Sequence, residues 1–364
     1  MEESTATLGL MADPGLPAQV AEGIAETVAE ELTEEFGFRW TVDVSRQRLP
    51  LNAVGDIPLF QQAGRLRDSH GWDYLVYLTD LPRIHNHEIM LCDVSAEARA
   101  AMVSVPSLGA FRVTKRARRL VSALTSSAQQ NTYDYPSEEL MQQIMASRPV
   151  YRHAEPENDD VVSIFLPGAR NRLELLSGMI RSNQPGRLVP ALTNSIALAL
   201  ATGAFGVFYG SIWNLADALH PLRLLLISVA VTAVLGIWLI GRNDLWARGR
   251  NPAAAWQPRL DNAATVITIS LGVVQIYLVI FAVLFVLALT IVEKGYLEEQ
   301  LGHAVNAVDY LHLSWLSASL GTLAGALGSN FNSEEMIREA TYSRRVYERR
   351  KLAGSFGDSD DSSD

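Results

Sequence analysis

One cysteine, Cys92, occurs among 364 residues, so the chain has no internal disulfide and no cysteine-rich zinc site. The familiar chemical signatures are missing as well. There is no GxxxxGK(S/T) loop to cradle phosphates and no GxGxxG after the first apolar run. HExxH, CxxC and GxSxG are also absent. Basic residues are in the minority, 30 Lys and Arg against 40 Asp and Glu. The resulting net charge of −10 excludes nucleic acid as a general partner, because phosphate binding needs a basic surface. The opening stretch MEESTATLGLMADPG lacks a basic start followed by an apolar core, so no signal peptide is expected.

What the chain does contain is unevenly spread. The first half is charged and alternates between strand and helix patterns, whereas the second half holds long runs with almost no charge. Crossing a hydrocarbon layer takes about 20 apolar residues, and four segments are read as spans: 188–210, 221–240, 263–292 and 310–328. The third is long enough to be one tilted helix, and the fourth is the least apolar. Basic residues alternate from loop to loop. Arg170, Arg172, Arg181 and Arg187 precede the first span, and Arg242, Arg248, Arg250 and Arg259 separate the second from the third. Arg338, Arg344, Arg345, Arg349, Arg350 and Lys351 follow the fourth, while the two remaining loops are poor in Lys and Arg. The positive-inside rule then expects a plasma-membrane protein with both termini cytoplasmic.

Within the spans, Thr202, Gly206 and Gly210 recur every four residues, as do Ser317, Gly321 and Gly325. Small residues at this spacing let helix backbones approach closely and suit helix packing or homo-oligomer contacts. No Asp, Glu, Lys or Arg sits near the middle of a span, which disfavours a channel or transporter. Asn194, Gln275 and His312 are the polar exceptions and are read as interhelical hydrogen-bonding or interfacial groups.

In residues 1–130 the patterns give the order β-α-β-α-β-β-β-α, a cytoplasmic α/β domain with a mixed sheet. Residues 131–187 read as a linker with short helices and a strand. Residues 329–364 read as a cytoplasmic basic helix and a disordered acidic tail ending GDSDDSSD. The fold class expected is therefore an α/β domain plus an all-α transmembrane bundle of about four helices.

The densest constellation runs from Asp80 to Glu88 and includes Arg83, His85 and His87, with Cys92 and Asp93 close behind. It follows an apolar strand, where loops of α/β domains often meet ligands. Asp80, His85, His87 and Asp93 are thus candidate ligand or metal residues, set against the plainer reading of a solvated hairpin loop. The run Arg112, Lys115, Arg116, Arg118 and Arg119 is read as a solvated face balancing the acidic first helix, with anionic headgroups or a phosphate as the alternative.

The stretches LTDLP (78–82), MVSVPSLGAFR (102–112), GMIRSNQPGRLVPAL (178–192) and WLSASLGTLAGALGS (315–329) resemble an uncharacterised family of actinobacterial multi-pass membrane proteins. Some members are labelled folate dehydrogenases, but the glycines that activity needs are absent here. The order of elements in the soluble half also resembles, at fold level, a zincin of the archaemetzincin type. The helix around Lys115 to Leu124 would then stand in the HExxH position, and it carries no histidine. The expected role is non-enzymatic, a membrane-anchored module binding an unknown protein or small molecule, with no cofactor. The alternatives are a membrane-associated, metal-assisted hydrolase using the 80–93 loop and a small channel or transporter.

Overall fold

The structure is a computed structural model, describing residues 5–52, 56–85, 88–130, 138–145, 148–155, 158–243, 245–247 and 256–328. His87, the start of the expected 131–187 linker and everything expected of 329–364 lie outside the described residues. The chain divides into two compact units, with the main boundary between Ser182 and Asn183.

The first unit is built on one sheet of eight strands. They are β1 (Thr5–Ala12), β2 (Arg39–Arg46), β3 (Tyr74–Thr79), β4 (Arg83–His85), β5 (Glu88–Ser95), β6 (Ala100–Ser104), β7 (Tyr151–Glu155) and β8 (Asn158–Leu166). The order is β2-β1-β3-β6-β5-β8-β7, with β4 paired to β5. β2, β1, β3 and β6 are mutually parallel, and the rest of the sheet is added antiparallel. β3 is buried along its whole length, as its unbroken apolar run requires of a strand covered on both faces.

Helix α1 (Leu16–Phe36) buries Val20, Ile24, Val28 and Leu32 on one stripe. It stops at Gly37, whose φ of 72° permits a left-handed cap donating its N–H to Thr33 O. α2 (Leu59–His70) lies on β3 and β6, and α3 (Val113–Gln129) packs beside α1. A short α4 (Glu138–Ile144) and α5 (Ala169–Asn183) follow. β7 and β8 extend the same sheet, so the α/β domain continues to Ser182 instead of ending at 130.

The second unit is helical: α6 (Leu188–Ala191), α7 (Thr193–Phe208), α8 (Gly210–Ala218), α9 (Pro221–Arg242), α10 (Trp256–Ile291), α11 (Lys294–Leu301) and α12 (Ala307–Gly328). Two helices are long and apolar enough to cross a membrane, over Pro221–Arg242 and Arg259–Ile291. α10 is one continuous helix, as its length suggested. The other two expected spans differ. The first is interrupted at Leu192 and again at Tyr209, leaving α7 with 16 residues, and α12 is less apolar than α9 or α10.

Close approaches define how these helices run. Cβ atoms added at Gly206, Gly321 and Gly325 would meet Ser317, Ala199 and Ser195 respectively, so α7 and α12 are antiparallel. Ser228 beside Tyr277 and Gly236 beside Ile269 make α9 antiparallel to α10. Gly272 beside Leu188 and Gly203 beside Leu284 set the segment through α7 parallel to α10. Successive long helices therefore alternate in direction. The linking helices α8 and α11 meet at one end, where Trp213 and Tyr296 pack edge to face with centroids 5.7 Å apart.

Candidate functional site

The C-terminal ends of parallel strands are where α/β sheets commonly receive ligands. Here β1, β3 and β6 deliver Asp13, Asp80 and the turn Val105–Leu108 to one edge. The Asp13 carboxylate accepts hydrogen bonds from Tyr77 OH at 2.5 Å, Thr79 Oγ1 at 2.8 Å and the Asp80 amide at 2.9 Å. Tyr77 OH in turn accepts from the Leu49 amide. Ser104 Oγ donates to Leu81 O, and Ser107 Oγ lies within hydrogen-bonding distance of Met90 O and Ser104 Oγ. Asp13, Tyr77, Thr79, Asp80, Ser104 and Ser107 are all buried. Together they fasten the three strand ends to one another.

The turn after β6 is held from its other side. Arg148 is fully buried and donates through Nη2 to Ser107 O at 2.8 Å. Glu174 of α5 stands 3.7 Å from Arg148 Nη1 and 3.5 Å from Arg116 Nη1, and Arg116 also donates to Leu108 O. Burial is the main cause that lowers the Arg148 pKa to about 10, with Arg116 adding repulsion, so the guanidinium stays charged near neutrality. Gly109 closes the turn at φ 85°, and a Cβ there would lie 2.1 Å from Glu174 Oε2.

The four sequence candidates are distributed as follows. Asp80 belongs to the buried strand-end network. Asp93 lies inside the sheet, accepting from Ser163 Oγ at 2.8 Å and pairing with Arg83. His85 is exposed at the end of β4, opposite Glu88, and His87 is outside the described residues. Among the described residues these groups do not gather into a metal-binding cluster. Cys92 is buried, and burial pushes its thiol up to about 12.

In the helical unit, Gly206, Ser317, Gly321 and Gly325 all lie in the α7–α12 seam. Thr202 is half-buried, and Gly210 begins α8, one residue past the break at Tyr209. Two further arrangements carry no signal in the linear sequence. Ser228, Tyr277 and Ser319 form a triangle of hydroxyls at 3.0–3.3 Å, joined by Trp315 Nε1, which ties α9, α10 and α12 together. Asp217, His303 and Asp309 bring three donor atoms within 4.8 Å of one another, the only such potential metal-binding group among the described residues. His303 Nε2 is 3.3 Å from Asp217, and its Nδ1 lies 3.1 Å from Ala304 O. With both ring nitrogens facing acceptors, the trio suits an imidazolium. A groove of about 630 Å³ between α9 and α10 is lined by Val229, Gly236, Ile240, Trp246, Ile269 and Val273 among others.

No protein family, curated protein or solved structure matches this chain. Fold and sites by themselves define a mixed-sheet α/β domain joined to a bundle of helices, two of them apolar enough to span a bilayer.

Proposed function

We propose that the protein is a multi-pass membrane protein whose cytoplasmic α/β domain works by binding a partner or small ligand, not by catalysis. One observation carries this reading: among the described residues, all but two of the exposed large apolar side chains lie in the helical unit. Leu222, Leu226, Ile237, Leu278 and Val286 point outward from α9 and α10, an arrangement that water penalises and hydrocarbon does not. The alternating directions of α7, α9, α10 and α12 support four crossings. The Arg-rich connection between α9 and α10 is then cytoplasmic, opposite the α8 and α11 connections. Against catalysis stands the use made of one acidic candidate, since the Asp93 carboxylate pairs with Arg83 and accepts from Ser163.

Topology is testable on a quiet background, because buried Cys92 should label poorly. Single Glu97→Cys and Glu299→Cys variants, both at exposed positions, report the two sides. An impermeant maleimide should reach residue 299 in intact cells and residue 97 only after permeabilisation. Labelling of both from the same side would sink the four-span arrangement. Co-purification from mild detergent, compared with a chain lacking residues 1–182, tests the binding role. An identical set of companions from both would remove it.

A further inference from the structure

We infer that the α/β domain docks on an anionic phospholipid surface through the face shared by the β6–α3 turn and α5, an inference that rests on the membrane reading above. The only exposed large apolar side chains among the domain's described residues are Phe111, 76% exposed, and Leu173, 69% exposed. They stand on adjoining elements. The Ala110 amide donates to Ser177 Oγ at 3.1 Å, and Arg181 donates to Ala110 O. Ser177 lies one helical turn beyond Leu173, so the turn carrying Phe111 runs along the same stretch of α5.

Charge surrounds these two anchors. Arg112 just before α3 and Lys115 and Arg119 on it are exposed, and Arg170, Arg172 and Arg181 are exposed on α5. Residues 109–119 contain five cations and no acid, in a chain whose net charge is −10. Glu174, beside Leu173 on α5, is already engaged by Arg116 and Arg148. Of the five, Arg118 is paired with Glu31 of α1, which also accepts from Ser122 Oγ, and the exposed cations of the patch are Arg112, Lys115 and Arg119. Arg112 itself sits at φ 56°, a costly conformation for a residue with a side chain, and this turn leaves Phe111 and Arg112 both outward.

An aromatic and an aliphatic anchor amid clustered cations match the interface of an anionic bilayer, where apolar groups enter the headgroup boundary and cations meet phosphates. The chain supplies the bilayer as neighbour, because α5 leads in sequence directly into the helical unit.

The test uses the full chain in lipid nanodiscs, with an environment-sensitive fluorophore on Ala169→Cys, one turn before Leu173, and a control label on Glu97→Cys. Quenchers attached to the lipid report contact. Discs containing phosphatidylglycerol should quench the label at 169 and spare that at 97, and phosphatidylcholine discs should quench neither. Each neutralised cation should lower the docked-to-free ratio roughly 5-fold, hence about 100-fold for Arg112→Gln, Lys115→Gln and Arg119→Gln together. Phe111→Ser should weaken contact further. Equal quenching in both lipids, or no loss in the triple variant, overturns the docking proposal. Failure of the chain to enter discs at all overturns the membrane reading instead, and docking with it.

Discussion

The seam between α7 and α12 offers the sharpest quantitative test. Gly321 sits where a Cβ would lie 2.3 Å from Ala199 O and 3.2 Å from the Gly203 amide nitrogen, so a methyl there meets rigid helix backbone on the facing side. Gly321→Ala must push the two helices apart. Overpacking of this kind costs about 1–3 kcal/mol, from which up to ~1 kcal/mol is recovered because alanine is the better helix former. At roughly 2–4 °C per kcal/mol for a unit of this size, the apparent melting temperature in detergent should fall by several degrees. Gly325→Ala should cost less, since its nearest backbone atom, Ser195 O, would be 2.8 Å away. Gly241→Ala on α9 meets nothing within 4 Å and should be neutral or slightly stabilising. Melting followed by intrinsic fluorescence across the three variants gives the ranking. If Gly321→Ala melts no lower than Gly241→Ala, the close-packed seam is not a feature of the protein.

Three further outcomes follow from buried or paired groups. Asp93→Ala leaves Arg83 partly buried without its carboxylate and removes the acceptor for Ser163, so it should destabilise the α/β domain by about 3 kcal/mol in denaturant melts. Metal content should stay unchanged in the same variant, because Asp93 is held as an ion-pair partner. Cys92, buried with its thiol pushed up to about 12, should resist maleimide in the native protein and react promptly once denatured. His303 has its pKa raised, first by Ala304 O and then by Asp217. Its contribution to joining α8 to the turn between α11 and α12 is therefore full below the ordinary histidine range and is lost as pH rises through the raised folded value. Asp217→Asn should flatten that part of the pH–stability profile.

Legibility in the sequence follows the range of the interactions involved. From β1 to α3 the elements declare themselves by local periodicity, and apart from the added β4 the structure has them in the expected order. The strands missed are β4, three residues long, and β7, whose Tyr-Arg-His-Ala-Glu sequence is polar enough to pass for a loop. The boundary at 130 rested on a Ser, Gln and Asn-rich stretch, yet β8 reaches back across it to pair with β5. Nothing local announces such a pairing. Spacing of small residues marked a face on each of the first and fourth spans without pairing the two. The α7 positions facing α12 are nevertheless Ser195, Ala199, Gly203 and Gly206, because the break at Tyr209 puts Gly210 at the start of the next helix. Asp80, His85 and Asp93 are close in sequence, but a reversing hairpin sends them to a buried strand end, an exposed tip and the sheet interior.

The modest apolarity of α12 has the same origin as its small residues. A span facing lipid needs large apolar side chains outward, and α9 supplies them in Leu222, Leu226 and Ile237. From Tyr310 to Ala326, α12 is largely covered by its neighbours and has little outward surface to fill. Ser314, Ser317, Ser319 and Thr322 are all buried there. Ser314 and Thr322 return their hydroxyls to carbonyls one turn earlier, while Ser319 joins Tyr277 and Ser228. Three of these four hydroxyls thus have a partner inside the bundle, Ser317 Oγ being the exception in the close α7–α12 seam, so low hydropathy costs little at those three positions. By this logic Ser319→Leu, which raises the helix's apolarity, should lower the melting temperature instead of raising it. The leucine would displace the hydroxyl that bonds Tyr277 and add bulk at a buried position. A stabilised Ser319→Leu protein would mean that α12 faces lipid, and the bundle order derived from the glycine contacts would be wrong.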